Sequence, residues 1–198
     1  MPNIITITGP SGAGKSTTLF YLLEEKRKYF DPIMVPKYTD RSEHKDDRGE
    51  VLRQLDMLAQ CDLKYIQYGA CYGIALNTIL EHIMAGKSPI VILNDVRAVE
   101  DVKNVFGGIV RSLFVFRESP NDNRFQEIAN AKGLDPKEIK PRLQKAQTLY
   151  RIYIENIHIF DHVIINSGTL SELRLQVNQI VASLQQSQYW PLAERNVK

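Results

Sequence analysis

The chain has 198 residues, 43% hydrophobic and 24% charged, the ordinary balance of a soluble globular protein large enough for one real core. A formal net charge of +2 argues against a nucleic-acid groove or an anionic membrane surface, and no apolar run approaches the about 20 residues of a membrane span. Two cysteines, Cys61 and Cys71, stand in no metal-ligand spacing; with no leader-like segment before the first strand, they fit reduced packing residues of a cytoplasmic protein.

The chain opens with "NIITIT" (residues 3–8), a β-branched apolar run that suits a strand buried on both faces. "GPSGAGKS" (residues 9–16) follows and fits G-x-x-x-x-G-K-[ST] at every fixed position. "TTLFYLLEEKRKYF" then places Leu19, Leu22 and Leu23 at helical spacing. Strand, glycine loop and helix are the context this motif requires. Glycines let backbone N–H groups turn inward around phosphate oxygens, and the helix N-terminus adds partial positive charge. Gly9, Ser11, Gly12, Ala13, Gly14, Lys15, Ser16 and Thr17 are thus the candidate ATP-binding residues. Lys15 is expected on the β- and γ-phosphates and Ser16 on a Mg2+ ion.

Four further strands are predicted, at residues 32–36, 89–94, 112–116 and 162–166, with helical patterns between them. This alternation predicts a three-layer α/β/α fold of the P-loop NTPase kind with a five-stranded parallel sheet, whose ligands sit at the carboxyl ends of the strands. Two segments interrupt it. "KYTDRSEHKDDRGE", from Lys37, is too charged to be core and reads as a solvated loop when taken alone; a tyrosine-rich stretch ending in "CYG" follows. The second segment, residues 117–143, contains "KGLDPKE", a Gly stop followed by an Asp-Pro helix start. Thr169 and Glu172 form a capping box that opens the last helix, and a tail carrying Trp190 follows it.

Taken together and in order, these segments resemble the guanylate kinase family over nearly the whole chain. "GPSGAGKST" is the spelling that family favours. "YTDR" (residues 38–41) resembles its Thr-Thr-Arg, and "CYGI" (residues 71–74) its Tyr-Tyr-Gly-Thr. "KGLDPKEIKPRLQKA" resembles the lid pattern, and "FDHVIIN" (residues 160–166) the family's Phe-Asp-Tyr-Val-Ile-Val-Asn. The resemblance implies one domain, 1–198, with a core of 1–36 and 87–198, a substrate-binding arm of 37–86 and a lid of 117–143. It also implies a kinase that uses ATP and Mg2+ on a small phosphate-bearing acceptor such as GMP or dGMP, acting as a monomer or homodimer.

Residue by residue, the resemblance implies Arg41 and Tyr72, with Tyr38 beside them, on the acceptor's phosphate. It implies Asp95 on a metal-bound water or the acceptor, Lys132 and Arg142 as lid cations, and Asn166 near the adenine. Asp95 also reads as a helix cap, Tyr72 as a core tyrosine and Arg142 as a solvated helix residue. The chain departs from the family where Leu63 replaces the carboxylate that reads the guanine edge, with Asp62 next to it as the candidate substrate-binding residue that restores that reading, and where Lys132 replaces an arginine. "NDVRA" (residues 94–98) resembles instead a segment of ribose 1,5-bisphosphate phosphokinase, which keeps a sugar-bisphosphate kinase open as an alternative. A non-catalytic interaction module is the third reading. Such modules typically lose the loop lysine or glycines, and here both are retained.

Overall fold

In the computed structural model, residues 2–42, 49–67, 69–117, 127, 130 and 136–186 are described. Lys132 and Trp190 lie outside them, and the Arg142 side chain is likewise not described.

The central sheet is parallel and five-stranded, in the order β2-β7-β1-β8-β9. Its strands are β1 (Ile4–Thr8), β2 (Pro32–Met34), β7 (Ser88–Ile92), β8 (Val110–Phe116) and β9 (His162–Ile165). All five lie where the apolar runs predicted them. β1 is at the centre, so its apolar and β-branched residues are buried on both faces.

Alternation along the strands splits the core in two. On one face Ile5, Ile7, Ile92 and Val115 pack against Leu19 and Leu22 of α1 (Lys15–Glu24) and Val177 and Val181 of α6 (Leu170–Gln186). On the other, Ile4, Val91 and Phe114 pack against Val99 and Val102 of α4 (Val96–Phe106) and Tyr153 of α5 (Pro136–Glu155). Leu22 is fully buried. Truncating such a residue to alanine costs about 2–5 kcal/mol, so the helix that carries the loop is fixed to the sheet by its own apolar stripe.

α5 begins at Pro136, as the Asp-Pro signal predicts, and runs on to Glu155, past the lid boundary of 143. The capping box is present as read: the Thr169 amide donates to Glu172 Oε2 at 2.6 Å, and the Glu172 amide donates to Thr169 Oγ1 at 3.2 Å.

Between β2 and β7 the chain builds a second sheet, in the order β4-β3-β6-β5, within the span assigned to the arm. Its strands are β3 (Lys37–Thr39), β4 (Val51–Leu52), β5 (Leu63–Gln67) and β6 (Ala70–Ile74). α2 (Leu55–Gln60) lies within this unit, and α3 (Leu76–Met84) returns the chain to the core. One correction concerns Lys37, at the head of the segment read as a solvated loop. Lys37–Thr39 is a buried strand, and Lys37 is only 3% exposed. Its ammonium stands over the Tyr72 ring, 5.5 Å from the centroid, so the aliphatic stem is buried while the charge faces a π cloud. Cys61 is buried and free, and burial raises its thiol above the ordinary range, as befits a packing residue.

Candidate active site

The phosphate loop hangs between β1 and α1, at the carboxyl edge of the sheet. Gly14 is the N-cap of α1 at φ +102°, and a Cβ there would stand 2.3 Å from Asn166 Nδ2. At Gly9 a Cβ would meet the Val115 carbonyl oxygen at 2.5 Å. The β8 backbone therefore presses on the loop at Gly9, where close approach requires glycine, and the left-handed backbone requires it at Gly14. Ala13 is buried, and its amide closes a turn onto the Pro10 carbonyl at 3.2 Å. Ser11, Gly12 and Thr17 continue the same loop into the first turn of the helix. Lys15 Nζ donates to the carbonyls of Gly9 and Pro10, each at 2.9 Å, so the loop itself holds the ammonium.

Asn166 is buried, and its Nδ2 donates to the Ala13 carbonyl at 2.7 Å. In this arrangement the side chain expected near the adenine braces the loop. Ser16 Oγ donates to Glu50 Oε2 at 3.1 Å, which links the loop to the arm. Arg117, just after β8, donates from Nη1 to the Gly12 carbonyl at 3.3 Å. Sequence reasoning missed both Glu50 and Arg117. An arginine directly after a strand in a loop-bearing α/β fold was the available signal for the second; nothing local marks the first.

On the arm, Arg41 Nε donates to the Tyr72 hydroxyl at 2.9 Å, and the guanidinium lies over the same ring at 5.9 Å. Tyr72 stacks on Tyr65, with centroids 5.6 Å apart and planes 18° apart. Burial drives the Tyr65 hydroxyl above the ordinary phenol range, partly offset by the Asn94 backbone. These contacts bring together the two residues expected on the acceptor's phosphate. Tyr38 is placed elsewhere: it is 8% exposed and packs with Leu58 and Cys61 in the arm's own small core. Burial raises its hydroxyl too.

Asp95 is the N-cap of α4, and its Oδ1 accepts from the Ala98 amide at 3.0 Å. The cap reading therefore holds for one of its oxygens. Asp62 Oδ2 accepts from the Leu76 amide at 3.0 Å, at the first turn of α3, while Leu63 points into the core. Beside Asp95, the Asn94 carbonyl accepts from the Tyr153 hydroxyl at 2.5 Å and from Gln67 Nε2 at 3.4 Å. The segment after β7, helix α5 and strand β5 thus meet at one backbone oxygen. No cluster of three or more His, Cys, Asp or Glu side chains able to hold a metal occurs among the described residues, nor a helix among them long and apolar enough to cross a membrane.

The chain matches the family model described as guanylate kinase over residues 1–184. It is 30% identical over 190 residues to a guanylate kinase of Prochlorococcus marinus subsp. pastoris, covering 92% of this chain and 98% of that protein. It is 24% identical over 194 residues to a guanylate kinase of Porphyromonas gingivalis, covering 92% and 100%. The crystal structure of guanylate kinase from Anaplasma phagocytophilum matches with a TM-score of 0.64 at 17% identity, covering 94% of this chain and 86% of that one, which speaks to the fold. These matches do not favour the sugar-bisphosphate alternative.

Proposed function

The chain belongs to the guanylate kinase family, and we propose that it transfers the γ-phosphoryl group of ATP to GMP or dGMP. The observation that carries this reading is the intact loop, with Lys15 held on the Gly9 and Pro10 carbonyls at the sheet's carboxyl edge. A protein-interaction module has no use for that arrangement.

Phosphoryl transfer needs placement and charge neutralisation more than covalent help. An oxygen of the acceptor's phosphate forms the new bond to the γ-phosphorus. The bond to the β,γ-bridging oxygen breaks, and ADP leaves with the electron pair. Backbone amides across Gly12 to Thr17 and the Lys15 ammonium hold the donor's phosphates. Ser16 offers a hard oxygen donor, which fits Mg2+, beside the carboxylate of Glu50. When bound, the ion neutralises charge on the β- and γ-oxygens. Arg41 and Tyr72 take the acceptor's phosphate, for which the guanidinium fork is suited. Asp95, fixed by its cap bond, offers its second oxygen to a metal-bound water or the acceptor. Lys132 and Arg142 close over the transferring group and exclude water. The donor's adenine lies on the side of Asn166. Two free cysteines and a reaction that draws on ATP fit the cytoplasm, where we place the protein as a monomer or homodimer.

A coupled ADP-release assay with Mg-ATP, run against the nucleoside monophosphates and ribose 1,5-bisphosphate, tests the proposal. Turnover on GMP and dGMP is expected. No turnover on GMP or dGMP would overturn it.

A further inference from the structure

The loop serine, Ser16, donates to Glu50, 34 positions away in the chain. A serine hydroxyl carries one proton and two lone pairs. A cation can approach only the lone pairs, so the proton must go elsewhere. Glu50 Oε2 accepts the hydroxyl's hydrogen bond at 3.1 Å. A carboxylate in this position fixes the rotation of the hydroxyl and makes its oxygen a better donor to a metal.

The arm also holds Glu50 in place. Its carbonyl accepts from the Lys37 amide at 2.9 Å, and it leads directly into β4, which pairs with β3 through Lys37–Val51 and Tyr38–Leu52. β3 pairs in turn with β6, which carries Tyr72, the partner of Arg41. The acceptor-phosphate pair and the loop serine are therefore linked through β6, β3 and the residue that leads into β4.

We propose that Glu50 is a positioning residue for the metal ligand Ser16, accepting the hydroxyl's hydrogen bond so that the oxygen lone pairs face the cation and tying the acceptor arm to the metal-bearing loop. This rests on the kinase reading above. It has a consequence that a merely structural role lacks. The carboxylate attracts a divalent cation but repels a metal-free triphosphate. Its removal should weaken binding of the first and leave unchanged or strengthen binding of the second.

The test uses binding and no turnover. Mn2+ is titrated into the full chain with a saturating non-hydrolysable ATP analogue, free Mn2+ being read by electron paramagnetic resonance. The same analogue is titrated calorimetrically in EDTA. Glu50→Ala should raise the Mn2+ Kd by about tenfold or more, the usual loss when an outer-shell partner goes. Glu50→Gln, which keeps an accepting oxygen but no charge, should fall between Glu50→Ala and the parent. In EDTA both variants should bind the analogue at least as tightly as the parent. Mn2+ affinities within about twofold of the parent, well below one hydrogen bond's worth, would overturn the proposal. So would a metal-free affinity that falls as much as the metal-dependent one, since that signals a damaged loop. If thermal melting shows Glu50→Ala to be unfolded, Glu50→Gln decides alone: an unchanged Mn2+ Kd rejects the role. A parent protein that binds the analogue no better with Mn2+ than without would instead overturn the kinase reading, and this inference with it.

Discussion

Arg41 and Tyr72 lie 31 positions apart in the chain, yet the guanidinium Nε donates to the tyrosine hydroxyl at 2.9 Å. The bond fixes an otherwise flexible cation against a ring that is itself stacked on Tyr65. A fixed guanidinium loses less side-chain freedom on meeting a phosphate.

Arg41→Ala should therefore weaken the acceptor specifically. A charge-assisted hydrogen bond is worth about 1.5–3 kcal/mol, or about 10- to 150-fold in kcat/KM for GMP. The KM for ATP should hardly move. Tyr72→Phe keeps the stack and loses only the hydroxyl, so its effect should be smaller, and the double variant should fall short of the sum. Steady-state kinetics with each substrate varied in turn will decide. An unchanged KM for GMP in Arg41→Ala would remove Arg41 from the phosphate site.

Lys15→Ala should abolish transfer while the protein stays folded. The ammonium bonds the Gly9 and Pro10 carbonyls of the loop, and the charge it supplies matters only with a triphosphate bound. Loss of a single preorganised charge-stabilising donor costs about 100- to 1000-fold in kcat. Turnover above about a tenth of the parent rate, with an unchanged melting profile, would refute the role given to Lys15.

The sheet and the loop were legible because their signals are local. The run at residues 3–8 and the loop motif need no distant partner, and Thr169 and Glu172 are three positions apart. The arm was harder. β5 alternates inward Leu63, Tyr65 and Gln67 with outward Lys64 and Ile66, but Ile66 is 77% exposed, and an apolar residue on the wrong face hides the two-residue period. Lys37 reads as surface because its cation–π partner, Tyr72, is remote in sequence. The same separation hid Glu50 from Ser16 and the bracing role of Asn166 from Ala13, which stands 153 positions before it.

A pH-dependent contribution to stability is expected at Asp161, where β8 and β9 are tied. Burial alone would raise its pKa. Bonds from the Ser112 amide at 2.7 Å and hydroxyl at 2.8 Å, with Lys103 Nζ at 3.1 Å, outweigh it and hold the carboxyl below its ordinary range. A folded pKa below the unfolded value gives stability that is present above about pH 4 and lost as pH falls through the folded pKa. Asp161→Asn should thus lower stability at pH 7 by about 1 kcal/mol, a charged hydrogen bond discounted for solvent screening. The gap between variant and parent should close below about pH 4. Denaturant melts across that range test this; a gap independent of pH would mean the charge is irrelevant.

The last prediction concerns the base. The carboxylate expected to read the guanine edge is absent from its position, where Leu63 is 6% exposed and lies opposite Ile74 across the hairpin. The neighbouring carboxylate, Asp62, is engaged with the Leu76 amide at 3.0 Å, next to the positive end of α3. A group so placed serves the helix. Asp62→Ala should then behave as a lost cap and cost about 0.5–2 kcal/mol of stability. The ratio of kcat/KM for GMP over AMP should change by less than about threefold, below the value of one base-reading hydrogen bond. A site without matched polar groups discriminates weakly, so the parent's preference for GMP should itself be modest. A fall of about tenfold or more in the ratio for Asp62→Ala, with stability unaltered, would show that Asp62 leaves the helix and reads guanine in the bound state, because only a hydrogen bond made to the base itself carries that much discrimination.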